Sequence, residues 1–270
     1  MLFKQWNNFS EPRHHLDAPL EDTTNLESLQ ISTLPKVTFS GSLDLMSFRK
    51  VVVISKTLEP LFPKRLIKLE HIASFQGTWQ TNTTEEFRYR EDFQAEEAAT
   101  SKKTERSIEF PMQKLDNNTL LLCVEENFLH VPPIVWNILS REIVAKCSTL
   151  QFLVIGTTDR IGEVKSIGAP GSCPFGQEDL PPLAPPEFIT NFTASLIDQL
   201  IASHMKFSGF VAPSEGPSGF EKLSLETMDK LIDLCWPIVN HLSRDSYVTE
   251  CHRCWRLNGT AMGAQTGLYL

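Results

Sequence analysis

The stretch Pro133-Ile134-Val135-Trp136-Asn137-Ile138-Leu139-Ser140-Arg141-Glu142-Ile143, followed by Phe152-Leu153-Val154-Ile155-Gly156, decides the fold class. Pro133 occupies a first helical turn, where its missing N–H costs nothing. Val135, Ile138, Leu139 and Ile143 then recur at helical spacing through Cys147. Phe152–Ile155 is short, apolar and partly β-branched, and Gly156 closes it, which predicts a strand. A helix leading into such a strand is half of a repeating α/β pattern.

The pattern continues downstream. Pro185-Pro186 predicts the opening of a second helix, with Phe188, Phe192, Leu196 and Leu200 at steps of four. A strand follows at Phe207–Val211. Ser224 then caps a third helix, Glu226 complements its dipole, and Leu225, Met228, Leu231, Ile232 and Cys235 form its apolar face. Pro237 ends or kinks it. A last helix, about 244–257, carries Tyr247, Val248, Cys251, Cys254 and Trp255 on one stripe. Helix, strand, helix, strand, helix predicts an α/β three-layer sandwich around a central, largely parallel sheet.

Upstream, Val51-Val52-Val53-Ile54 reads as a strand buried on both faces. Residues 66–81 carry a weaker strand signal through Ile72, Phe75 and Trp79. Ser107–Phe110 and Leu120–Val124 read as strands joined by an Asp116-Asn117-Asn118 turn. Strands joined by turns make the sheet mixed. Around it, residues 1–45 read as an N-terminal arm packed on the body, 46–257 as a single α/β domain, and 258–270 as a flexible tail. Within the domain, 82–106 is rich in charge and poor in aliphatics, which predicts a solvated variable loop.

Composition bounds the function. The chain has 270 residues, with 25 Lys+Arg against 33 Asp+Glu and a net charge of −8. A net acidic chain without a basic block lacks the clustered positive charge that binds nucleic acid or anionic membrane. Met1-Leu2-Phe3-Lys4-Gln5-Trp6-Asn7 breaks its apolar run within three residues, so no secretory leader is expected. Six scattered Cys do not make a disulfide framework, and a reduced compartment follows: the cytoplasm, with the nucleus left open.

Motifs for chemistry are weak. Gly156-Thr157-Thr158-Asp159-Arg160-Ile161-Gly162 has neither the dinucleotide nor the P-loop pattern and reads as a turn. Ser214-Glu215 can be cast as nucleophile and acid, yet no His stands in a context that marks a base, and Pro213, Gly216, Pro217 and Gly219 fix a tight turn. Both loops follow strands, where open α/β sheets place ligands. An α/β enzyme acting on a small metabolite at loops 156–162 and 214–219 is therefore the alternative reading. Cys251-His252-Arg253-Cys254 lacks the second ligand pair of a zinc site and reads as core, and His14-His15 is a lone pair. No metal, cofactor or catalytic residue is expected. Glu125-Glu126, adjacent on a strand, point to opposite faces and make no catalytic pair.

The last residues differ from an ordinary polar terminus. Gly267-Leu268-Tyr269-Leu270 is apolar and aromatic, after a Gly-rich segment. The ten residues Asn258–Gly267 reach about 33–36 Å extended or roughly 17 Å as a coil. Such a tip, with a free carboxylate, suits a docking peptide.

Leu268-Tyr269-Leu270 fits the hydrophobic–tyrosine–any residue (HbYX) signature of proteasome-binding C-termini. Met1–Asn7, Pro60-Leu61-Phe62-Pro63-Lys64, Glu125-Glu126-Asn127-Phe128, Pro185-Pro186-Glu187-Phe188-Ile189-Thr190, Val211–Pro217, Gly219–Leu223 and Gly263-Ala264-Gln265 point the same way. Nearly the whole chain resembles the first subunits of the yeast-type heterodimeric proteasome assembly chaperone. The resemblance implies a non-enzymatic α/β protein that pairs with a related second subunit. It implies binding to the outer face of the proteasome α-ring through Leu268, Tyr269 and Leu270, in a pocket between the fifth and sixth α subunits that offers a Lys. It further implies help in forming the ring, a block on premature activator or regulatory-particle binding, and release when the core particle matures.

Overall fold

Val51–Ile54 lie at the centre of the molecule, each 2% exposed or less. The computed structural model describes residues 34–41, 47–83, 102–125, 131–168, 180–216, 221–239 and 241–259. Among these are eight strands: β1 (Lys36–Ser40), β2 (Lys50–Ser55), β3 (Glu70–Thr83), β4 (Lys102–Lys114), β5 (Thr119–Val124), β6 (Gln151–Thr158), β7 (Lys165–Gly168) and β8 (Phe207–Pro213). The helices are α1 (Pro133–Lys146), α2 (Asn191–Ala202), α3 (Leu225–Cys235) and α4 (Arg244–Asn258), with a 3-10 turn at Lys56–Leu61.

One mixed sheet runs in the order β1-β3-β4-β5-β2-β6-β8-β7. Its centre, β5-β2-β6-β8, is parallel. The flanks are antiparallel: β1, β3 and β4 on one side, β7 on the other. Two hydrophobic cores sandwich the sheet. Val51 and Val53 face Val135, Leu139 and Ile143 of α1 and Phe192 and Leu196 of α2. Val52 and Ile54 face Met228, Leu231 and Ile232 of α3 and Tyr247, Cys251 and Trp255 of α4. Successive strand residues point to opposite faces, so a four-residue apolar run feeds both cores. The expected three-layer α/β sandwich with a mixed, centrally parallel sheet is the fold.

Several boundaries move, each for a physical reason. Lys36–Ser40, inside the segment read as an arm, pair with β3 as an edge strand. Within the segment 82–106 read as a loop, β3 runs to Thr83 and β4 starts at Lys102, while 84–101 lie outside the described residues. β6 continues through Gly156 rather than closing there. A Cβ at Gly156 would lie 2.7 Å from Thr193 Cγ2, so the missing side chain lets α2 sit close on the strand.

Helix α2 begins at Asn191 and not at Pro185-Pro186. The Phe188 carbonyl accepts a hydrogen bond from Thr158 Oγ1 (3.2 Å), and the Glu187 carboxylate accepts from the Ala184 N–H (3.3 Å). These bonds hold 184–188 as a turn on the end of β6, and Phe188 stays half-exposed under the Arg160 guanidinium. β7, where no strand is expected from the sequence, forms an antiparallel edge on β8. Ser224 caps α3 by accepting from the Thr227 N–H (3.1 Å), as its sequence predicts. Leu225, expected on the buried face, is 59% exposed.

Candidate functional site

The C-terminal ends of the parallel strands form one edge of the sandwich. α1 follows β5 and leads to β6, so its N-terminus lies at this edge, and α3 starts there after β8. Residues 156–162 and 214–216 both belong to it, and 217–219 of the second predicted loop lie outside the described residues. Asp159, Ile161 and Gly162 from the first and Ser214 and Glu215 from the second line a cleft of about 480 Å³. Glu226 and Lys230 of α3 close its far wall. The structure thus brings together the two loops that the enzyme reading requires.

The chemistry of the cleft is that of a charged surface. Among the described residues its lining holds four carboxylates (Asp159, Glu163, Glu215 and Glu226), one amine (Lys230) and the hydroxyls of Ser214, Ser224 and Thr227, with no His or Cys. The Ser214 N–H is tied to the Thr158 carbonyl (3.0 Å). Glu215 and Lys222 exchange backbone hydrogen bonds of 2.9 and 2.8 Å, which bring these two residues side by side. Asp159 pairs with Arg160 (3.2 Å), and Glu163 with Lys165 (3.1 Å).

One buried carboxylate fastens this edge. Glu221, 5% exposed, accepts from Thr57 Oγ1 at 2.7 Å and is 3.5 Å from Thr157 Oγ1. It joins the 3-10 turn after β2, the end of β6 and the stem of the 214–222 loop. Nothing in the local sequence marks it, because its partner Thr57 is 164 positions away. Glu125 pairs with Lys56 at 2.7 Å on the same edge, while Glu126 lies outside the described residues.

The C-x-x-C stretch sits on α4. Cys251 is buried and Cys254 partly so. Burial pushes the Cys251 thiol up to about 12 and holds the Cys235 thiol well above its ordinary value. Thiolate is the form that binds metal, so these side chains act as small apolar packing groups. His252 Nε2 meets Asp229 Oδ1 at 2.9 Å and ties α4 to α3. Among the described residues no group of three or more His, Cys, Asp or Glu is placed to hold a metal ion.

Helix α4 carries the chain towards its C-terminal segment. Tyr247, Cys251 and Trp255 are fully buried and bolt it to the body. Gly259 ends it in the left-handed conformation (φ 70°, ψ 12°), the helix stop that glycine permits. Leu268, Tyr269 and Leu270, the residues expected to bind the proteasome, lie outside the described residues.

Comparison with known proteins agrees over the full length. The sequence model of the POC1 chaperone family matches residues 1–270. Proteasome chaperone 1 of Saccharomyces cerevisiae is 38% identical over 288 aligned positions, covering 100% of both chains. PbaA of Pyrococcus furiosus, described as an archaeal homolog of proteasome-assembly chaperone, shares the fold with a TM-score of 0.50. That likeness is 12% identical and covers 81% of this chain and 88% of PbaA. A Thermoplasma acidophilum protein of unknown function also has a TM-score of 0.50, at 11% identity, over 81% and 87% of the two chains. A family match from the first residue to the last, together with a relative aligned end to end, establishes the chain as a member of the POC1 chaperone family.

Proposed function

We propose that this protein is a chaperone for assembly of the 20S proteasome core particle, acting as one subunit of a heterodimer on the outer face of the α-ring. The observation that carries this reading is the end-to-end match, at 38% identity, to Proteasome chaperone 1. In this reading Leu268, Tyr269 and Leu270 enter a pocket between adjacent α subunits, the chain helps the ring to form, and it keeps activators and the regulatory particle off until maturation. The work is done by binding, without catalysis, in the cytoplasm.

The energetics of the tip favour a two-tailed binder. Burying Leu268 contributes about 1.5–3 kcal/mol. The Tyr269 ring adds apolar area with one hydroxyl for a polar wall. A Leu270 carboxylate facing a Lys makes a charge-assisted hydrogen bond. Ordering the segment costs about 1–2 kcal/mol per residue and offsets much of this gain. Useful affinity then depends on the body surface and a partner's tail acting together through effective concentration.

The test is binding of the full chain, with its co-purifying partner, to isolated α-rings. Tyr269→Ala, and a variant extended by one Ala after Leu270, are expected to weaken binding with unchanged thermal stability. Unchanged affinity in both sinks the tail mechanism. Co-purification and mass spectrometry that find neither α subunits nor a related second subunit sink the chaperone reading. The cleft between loops 156–162 and 214–219 is the one observation on the side of a metabolite enzyme. Turnover abolished by Ser214→Ala and Glu215→Ala is the result that establishes that alternative.

A further inference from the structure

The root of the tail lies on the same edge of the sandwich as the cleft. Helix α3 starts at this edge and runs away from it. Two polar contacts set the direction of α4 against α3: Asp233 with Arg244 (2.7 Å) and Asp229 with His252 (2.9 Å). A pair nearer the start of α3 therefore falls later in α4, so α4 runs back towards the edge. From His252, six more residues at 1.5 Å each carry the helix about 9 Å further. From Asp229, the four residues back to Leu225 cover only about 6 Å. Gly259 thus emerges level with, or just beyond, the start of α3.

The same edge gathers exposed apolar side chains. Ile134, Phe188, Leu225 and Leu257 are 42%, 48%, 59% and 69% exposed. They account for four of the six large apolar side chains that stand out of the surface among the described residues. They come from separate elements of both helical layers, so chain connectivity alone does not explain their convergence. On the same edge, Glu215 and Glu226 line the cleft and make no ion pair among the described residues.

We infer that this edge is the surface by which the body seats on the α-ring, and that the ring presents basic side chains to Glu215 and Glu226. The inference rests on the ring-binding reading above and adds to it which face of the body is used. Chain length supports the choice. Residues 260–270 span at most about 36–40 Å extended and roughly 17–20 Å as a coil. The opposite edge lies a further strand length away, about 26 Å for the eight residues of β6. Seating that edge would force the tail back along the whole sheet before it met a pocket. Seating the near edge leaves the tail slack, and an edge that carries carboxylates in its cleft complements a basic surface.

The experiment places a photo-crosslinking side chain at Phe188, Leu225 or, on the opposite edge, Ile201, in the full chain with its partner subunit. All three positions are exposed, so the core is untouched. Illumination on α-rings is expected to give adducts with α subunits from 188 and 225 and none from 201. Glu215→Lys combined with Glu226→Lys is expected to slow association about tenfold at low salt, a difference that shrinks as salt rises. Adducts from 201, or adducts from 225 only to the partner subunit, overturn the inference while ring binding stands. Failure of the unmodified chain to bind α-rings overturns the ring-binding reading, and the inference with it.

Discussion

The Tyr247 hydroxyl donates a hydrogen bond to the main-chain carbonyl of Leu61 at 3.0 Å, joining positions 186 residues apart. Burial drives the phenol well above its ordinary pKa, so it remains a donor at every physiological pH. The bond fixes α4, and with it the root of the tail, to the turn that follows β2. Tyr247→Phe keeps the ring and strands the buried carbonyl. The expected loss is about 1–3 kcal/mol of unfolding free energy, read as a lower urea midpoint at constant m. An unchanged midpoint shows that water reaches Leu61.

Thr57 and Glu221 give a second, independent pin. Thr57→Val preserves shape but removes the 2.7 Å donor from a buried carboxylate. A hydrogen bond to a charged group contributes about 1.5–3 kcal/mol, and a loss in that range is expected. Hydrogen exchange in 214–222 should accelerate along with the stability loss. Stability that falls while exchange in that segment stays slow places the effect elsewhere in the core.

Two glycines are expected to resist substitution for steric reasons. A Cβ at Gly209 would come 1.8 Å from the Val154 carbonyl oxygen, and one at Gly156 would press on Thr193. The obstacle at Gly209 is backbone, whereas at Gly156 it is a side chain. Gly209→Ala should therefore cost more than Gly156→Ala, whose overpacking falls in the range of about 1–3 kcal/mol. Thermal melts of the two variants decide the order. Adding Thr193→Ser to Gly156→Ala should recover part of the loss, and no such rescue is expected at Gly209.

Acid should loosen α4 through Glu250. Hydrogen bonding to Arg253 holds the Glu250 carboxyl below its ordinary value of 4.5, and Arg65 lies 3.9 Å away. A lowered folded-state pKa means that the stabilisation is present above 4.5 and disappears as pH falls through the folded value. Melting temperature measured from roughly pH 6 to pH 3 should drop more steeply for the native chain than for Glu250→Gln. Parallel curves refute the linkage.

The elements were legible wherever the signal was local. The Val51–Ile54 run, the Ser224 cap and the α4 stripe through Tyr247, Cys251 and Trp255 each depend on neighbours within a few positions, and each is where its pattern predicts. Reading failed where distant groups decide. Helix α2 starts late because Thr158 captures the Phe188 carbonyl across 30 positions. β7 has no strong strand pattern of its own and exists because β8 offers it an edge. Leu225 fits the helical stripe but sits in the first turn, beyond the reach of the sheet. The Thr57–Glu221 contact and the apolar edge are products of topology, which brings together residues that no window of sequence contains. The tail residues Leu268, Tyr269 and Leu270 are the converse case, a motif read from sequence that belongs to a segment outside the described residues.

The two outermost strands are also the shortest, five residues in β1 and four in β7, while β3 and β4 between them run to fourteen and thirteen. A short rim offers few open amide and carbonyl groups to another chain. At β1 and β7, copies of the protein meeting before a partner is available therefore find little template for stacking sheet upon sheet into aggregates. A protein whose proposed task is to keep other subunits from associating wrongly carries, in the lengths of its own border strands, a safeguard against doing so itself.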